Sequence, residues 1–151
     1  MLRQRIADGI KEAMKAGDKT RLGAVRLIQS ELKNKDVEAR GAGKAEASEE
    51  DILGVLQKMT KQRQESLAIY EKAGRADLAA TEKSEIDVIA SYLPKQMGED
   101  EVAAAIKAAI EETGAASVKD MGKVIGALKS KYAGRMDFGR ASTAVKTALS
   151  G

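Results

Sequence analysis

Met121-Gly122-Lys123-Val124-Ile125-Gly126-Ala127-Leu128-Lys129-Ser130-Lys131-Tyr132-Ala133-Gly134-Arg135 is the stretch on which the reading of this chain turns. With Val118 before it, Met121, Val124, Ile125, Leu128 and Tyr132 recur at helical spacing and define one apolar face. Gly122 and Gly126 stand one turn apart on a different face, beside Lys119 and Lys123. A glycine inside a helix costs roughly 1 kcal/mol relative to alanine. Two in register imply that something approaches the helix backbone. The spacing alone leaves two visitors open, an anionic ligand drawn by the lysines or a closely packed second helix.

Composition extends the helical reading to the whole chain. One proline in 151 residues, only 3% aromatic residues and abundant Ala, Leu, Glu, Lys and Arg predict an all-α protein with an aliphatic core. No cysteine is present, which excludes disulfides and thiolate chemistry, and no histidine, which removes the usual general base and metal ligand. The opening Met-Leu-Arg-Gln-Arg-Ile-Ala-Asp lacks a signal-peptide apolar stretch, and no apolar run approaches the roughly 20 residues of a membrane span. The expectation is a soluble cytoplasmic protein with no membrane contact.

Net charge is +3, but its distribution is uneven. Residues 1–44 carry +5, residues 45–113 carry −7 and residues 114–151 carry +5. These are either solvated faces that pair within the molecule or, at one basic end, a footprint for phosphates.

Seven helices are predicted. The first covers about 2–15, is closed by Gly17, and precedes a second over 19–38 capped by Asp18. Residues 40–47 read as a flexible loop. Ser48-Glu49-Glu50-Asp51 resembles a capping box and starts a long third helix to about Lys72. Lys61-Gln62-Arg63-Gln64 interrupts its apolar face. That gap is either a polar contact between helices or, the reading preferred here, a solvent-facing stretch where the helix leaves the core. A fourth helix covers about 76–92 and stops before Pro94. Val102, Ile106, Ala109 and Ile110 mark a fifth, Ser117 caps the sixth, and Asp137 caps the seventh. The expected architecture is a four-helix N-terminal domain, residues 1–95, followed by a three-helix C-terminal domain, residues 96–151.

Catalysis by this chain alone is not expected. Its hydroxyl and amine nucleophiles are scattered and lack a histidine to activate them. Glu49-Glu50-Asp51 and Glu99-Asp100-Glu101 sit at helix starts, where carboxylates meet the helix dipole favourably. No Walker-type glycine loop is present, and no metal or cofactor is expected. The basic C-terminal segment remains the candidate site. Lys119 and Lys123 flank the glycine strip, Lys129, Lys131 and Arg135 follow it, and Arg140 and Lys146 lie on the exposed side of the last helix. Lysine neutralises phosphate without reading sequence, and few aromatics argue against base stacking, so any RNA contact is to backbone and shape.

The same C-terminal tract, from Gly114 through Arg135, resembles the GatB/YqeY domain. So do Gln62-Arg63-Gln64-Glu65-Ser66, the run Tyr70-Glu71-Lys72-Ala73-Gly74-Arg75-Ala76-Asp77-Leu78, and Tyr92-Leu93-Pro94-Lys95-Gln96-Met97. The resemblance covers almost the whole chain in order and points to a stand-alone YqeY-like protein. It implies an all-helical fold related to the C-terminal tail of GatB, a subunit of the glutamine-dependent tRNA amidotransferase, where the tail helps hold tRNA and the chemistry lies elsewhere. The carbon–nitrogen ligase label attached to such proteins therefore implies association with a pathway. On this resemblance Gly122, Lys123, Gly126, Lys129, Gly134 and Arg135 are tRNA-contact candidates, joined by Lys119 and Lys131 from the charge pattern. The implied partners are tRNA and an amidotransferase or aminoacyl-tRNA-related protein, with the chain a monomer. The alternative is a protein-interaction adaptor whose Gly122/Gly126 face receives a partner helix. A third reading is an amidotransferase activity that requires a partner.

Overall fold

The computed structural model describes residues 1–150, and among them every regular element is helical. The α-helices are α1 (Leu2–Ala16), α2 (Lys19–Gly41), α3 (Glu49–Lys72), α4 (Ala76–Ala90), α5 (Glu99–Thr113), α6 (Met121–Tyr132) and α7 (Phe138–Ser150), with a 3-10 turn at Val118–Asp120 before α6. The chain divides into two compact units, Met1–Pro94 and Lys95–Gly151.

Local signals set most helix ends. Asp18 accepts a hydrogen bond from the Arg21 amide at 3.0 Å and starts α2. Ser48 and Asp51 cap each other reciprocally at the start of α3, at 3.1 and 3.0 Å. Gly17 ends α1 with φ 67°, a left-handed conformation that only glycine adopts without strain. The acidic runs at residues 49–51 and 99–101 thus open helices, and Glu101 reaches back to the Gly98 amide at 3.4 Å.

In the first unit α2 packs against α1, α3 and α4. Ile6 of α1, Val25 and Ile28 of α2, Leu56 of α3 and Ile89 of α4 are its most fully buried side chains. Gly9 of α1 lies against the Tyr92 hydroxyl, in a space that a Cβ would fill.

Polar groups in this unit depart from the sequence reading in two places. The loop after α2 was expected to be flexible, yet its end is pinned. Asp36, buried on α2, accepts two hydrogen bonds from the Arg3 guanidinium at 2.8 and 2.9 Å and a third from the Ala47 amide at 2.9 Å. Arg3 also donates to the Ala47 carbonyl at 3.1 Å. These contacts, the Arg3 hydrogen bonds first, hold the Asp36 carboxyl down at about 2. α2 accordingly runs on to Gly41, past the expected end at Glu38.

The second departure is Arg63, at which the solvent-facing reading of residues 61–64 gives way to the alternative, a polar contact between helices. Its side chain turns onto α4, with Nε 3.0 Å from Glu85 and 3.9 Å from Glu82. Lys61, Gln62 and Gln64 around it are exposed. One guanidinium faces two carboxylates in a mostly buried position, and an oxygen of each glutamate lacks a hydrogen-bond donor. Burial, opposed by Arg63 and reinforced by Glu82, raises the Glu85 carboxyl above its ordinary 4.5.

The linkage signs of the two acids are opposite. Asp36 stabilises the fold above its unfolded value, and that contribution is lost as pH falls toward 2. Glu85 favours the fold while protonated, and its contribution is lost as pH rises through its raised folded value. Glu85→Gln is therefore expected to flatten the stability loss as pH rises above the ordinary titration range of a glutamate. Arg63→Ala leaves two buried carboxylates facing each other and should cost about 3 kcal/mol. Urea unfolding across pH checks both. Equal stability of Glu85→Gln and the native chain from acid to neutral pH would contradict the assignment.

Candidate nucleic-acid interface

In the second unit, α5, α6 and α7 close around Ala105, Ile106 and Ala109 of α5, Val124 and Leu128 of α6, Met136, and Ala141 and Val145 of α7. Met121, Ile125 and Tyr132 pack at its edge. At 3.6 residues per turn, positions 121, 124, 125, 128 and 132 share a face, and positions 122, 126, 129 and 130 lie outside it on the remaining sides of the helix. The core contact of the first set therefore turns the second outward.

Gly122 and Gly126 are exposed, and a Cβ built at either position meets no heavy atom within 4 Å. No helix of the unit packs onto them. The strip they leave is bordered by the exposed side chains of Lys119, Lys123 and Lys129. Lys119 and Lys123 form no ion pair among the described residues, and the ammonium of Lys129 stands 5.9 Å from the centre of the Phe138 ring. α6 contains no carboxylate. The nearest acid, Asp120, turns back to accept hydrogen bonds from the Ala116 and Ser117 amides at 2.9 and 3.3 Å. Those bonds, with the charge of Lys123, hold its carboxyl below the usual range.

Lys131 lies apart from this strip. It faces α5, where its ammonium meets both oxygens of Glu112 at 2.8 Å, and that hydrogen bonding raises its pKa. Gly134 and Arg135 have structural tasks. Gly134 is buried with φ 78°, and its carbonyl accepts from the Gln96 side chain at 2.6 Å. The Arg135 carbonyl accepts from the Met97 amide at 2.9 Å, and its guanidinium donates to the Lys95 carbonyl at 3.1 Å. Together they tie Lys95–Met97 to the turn after α6. Arg140 is highly exposed beside Asp137 at 4.0 Å, and Lys146 is exposed on α7. Ser130 is a strip residue that the sequence reading passed over. Its hydroxyl donates to the Gly126 carbonyl at 3.0 Å, and its position one turn beyond Gly126 was the available signal.

No histidine or cysteine is present in the chain, and among the described residues no three carboxylates converge as metal ligands. No helix of the described residues is long and apolar enough to cross a membrane. The fold and strip define a small, all-helical protein with a basic, backbone-exposing face. The match to the YqeY-like protein family over residues 3–149 identifies the lineage: the chain belongs to that family, which is related to the C-terminal domain of GatB.

Relatives of the chain include proteins named altered inheritance of mitochondria protein 41, mitochondrial. The one from Pyrenophora tritici-repentis is 30% identical over 135 residues, 87% of this chain and 71% of its own length. Those from Vanderwaltozyma polyspora and Lachancea thermotolerans are 33% and 36% identical over 84 residues, 56% of this chain. The chain spans less than half the length of these two, 44% and 43%. The cytoplasmic location expected from the sequence is corrected by these findings, since the relatives are named as mitochondrial proteins. Lack of an apolar stretch was a weak guide, because mitochondrial transit peptides are amphipathic and arginine-rich.

The open geometry makes a prediction of unusual sign for a glycine. Gly122→Ala and Gly126→Ala introduce no clash. Each is expected to stabilise the second unit by about 1 kcal/mol, the helix propensity difference. Thermal unfolding of the two variants measures this, and a loss of stability would mean that the strip is covered.

Proposed function

We propose that this chain is a tRNA-binding accessory module, not catalytic by itself, that holds the sugar-phosphate backbone against the α6 strip. The observation that carries the proposal is that Gly122 and Gly126 lie open away from the core, with Lys119, Lys123 and Lys129 exposed around them. Missing side chains let a ribose or phosphate reach the helix surface, and the lysines neutralise it without reading bases. The family relation to the GatB C-terminal domain supports tRNA as the polyanion. The same relation underlies the carbon–nitrogen ligase association, which on this reading belongs to a partner enzyme. On this reading Lys131, Gly134 and Arg135, which are engaged in contacts of their own unit, border the interface and do not form its centre.

Binding of the purified protein to total tRNA, mitochondrial and cytosolic pools in separate arms, tests the reading across a salt series. Duplex DNA of equal charge serves as competitor. Preference for tRNA with an affinity that falls steeply with salt is expected. Lys119→Glu with Lys123→Glu should lower the affinity at least about tenfold and reduce the log–log salt slope by about 1–2. The charge-matched pair Lys11→Glu with Lys15→Glu, both exposed on α1, should leave preference and slope nearly unchanged. Equal binding to tRNA and DNA, or equal loss from both double variants, would overturn the proposal and favour a partner helix as the occupant of the strip.

A further inference from the structure

α2 carries a second exposed face, independent of the α6 strip, whose side chains follow a seven-residue pattern. Thr20, Gly23, Leu27, Ser30, Asn34, Val37 and Gly41 alternate in steps of three and four along it, and all are exposed. Leu27 and Val37 are 41% and 64% exposed, while Val25, Ile28 and Leu32 on the opposite side enter the core. In heptad terms Leu27 and Asn34 occupy a positions and Ser30 and Val37 occupy d positions. The flanks are sorted by sign. Lys19, Arg26, Lys33 and Arg40 occupy every g position, and Glu31 and Glu38 occupy two of the three e positions, the third being buried Ala24.

That sorting identifies an occupant. In a parallel pair of helices a g residue faces the e residue five positions later on the other chain. A second α2 in parallel would set Arg26 opposite Glu31 and Lys33 opposite Glu38, on both flanks of the two-fold axis. An antiparallel pair would set g against g and e against e, and every facing pair would repel. Arg26, Glu31 and Lys33 have no ion pair within the chain among the described residues. Glu38 reaches Lys35 on its own helix at 3.4 Å, an exposed contact that competes weakly. Asn34 at an a position meets its own copy across the axis, the placement that fixes register and favours two strands.

We propose that the exposed face of α2 is a self-association surface on which two copies of this chain pair in parallel, in place of the monomer expected from the sequence. The seam is short and its apolar content low, so the dimer is a weak one, at the small end of specific interfaces.

Sedimentation velocity of the full chain over a wide concentration range, at low and high salt, tests the proposal. Reversible dimer formation that weakens with salt is expected. Glu31→Lys with Glu38→Lys, and separately Arg26→Glu with Lys33→Glu, should each lower the association constant by about tenfold or more. Mixing these two variants should restore association, because the mixed pair again sets opposite charges together. The chain has no native cysteine, so Asn34→Cys gives a direct check of orientation. Under oxidation it should cross-link to itself far faster than Ala104→Cys, an exposed control on α5. A native chain that stays monomeric at the highest concentration, a mixture that does not associate, or equal cross-linking of the two cysteine variants would each overturn the proposal.

Discussion

Burial of Val124 and Leu128, at 0% and 1% exposure, fixes the rotation of α6 about its own axis, and the surface of the second unit follows from that constraint. A helix has one azimuth once its apolar stripe is seated between neighbours. Seating these two residues against α5 and α7 sends Gly122 and Gly126 off the core face and brings Lys129 beside them. It also directs Lys131 at Glu112, which pairs that lysine with a carboxylate. The exposed character of this surface is thus a by-product of packing. The side chains that would touch a polyanion are positioned by side chains that never meet it.

The helix nevertheless retains two residues that weaken it. With nothing beyond the adjoining helix backbone within 4 Å of a Cβ placed at either glycine, the packing of this unit does not explain them. Sequences tend to break local preferences where function requires it. An open glycine strip with lysine borders is such a break, and the absence of acid from α6 keeps the strip's charge uniform. The four polar side chains of the strip differ in how they are held. Lys119 and Lys123 form no ion pair among the described residues, Lys129 lies near the Phe138 ring, and Ser130 is fixed to the Gly126 carbonyl.

How much of this was legible beforehand depended on the range of the interactions involved. The apolar stripes, the Asp18 and Ser48 caps and the all-helical class follow from neighbours within a turn or two, and the residues quoted from α3, α4 and α6 sufficed to place the family. The Asp36 site was missed because its partner Arg3 lies 33 positions away and a buried aspartate looks like any other charge in a helical pattern. Arg63 was assigned to solvent for the same reason. Its partners Glu82 and Glu85 belong to the next helix, and α3 alone shows only an interrupted stripe. At the candidate site the periodicity identified the glycine strip, yet it could not distinguish Lys131 or Arg135 from the strip lysines. Their engagement by Glu112 and by the Lys95 carbonyl exists only in three dimensions.

The central claim, that the open face of α6 is where a polyanionic backbone sits, is tested most directly by following backbone amide resonances of the full chain as tRNA is added. The account predicts that the signals of Gly122, Lys123, Gly126 and Ser130 shift first and in proportion to occupancy, with buried Val124 moving less and the amides of α1 to α4 unchanged. Shifts confined to the first unit, or no shift at α6 while tRNA is bound, would contradict it.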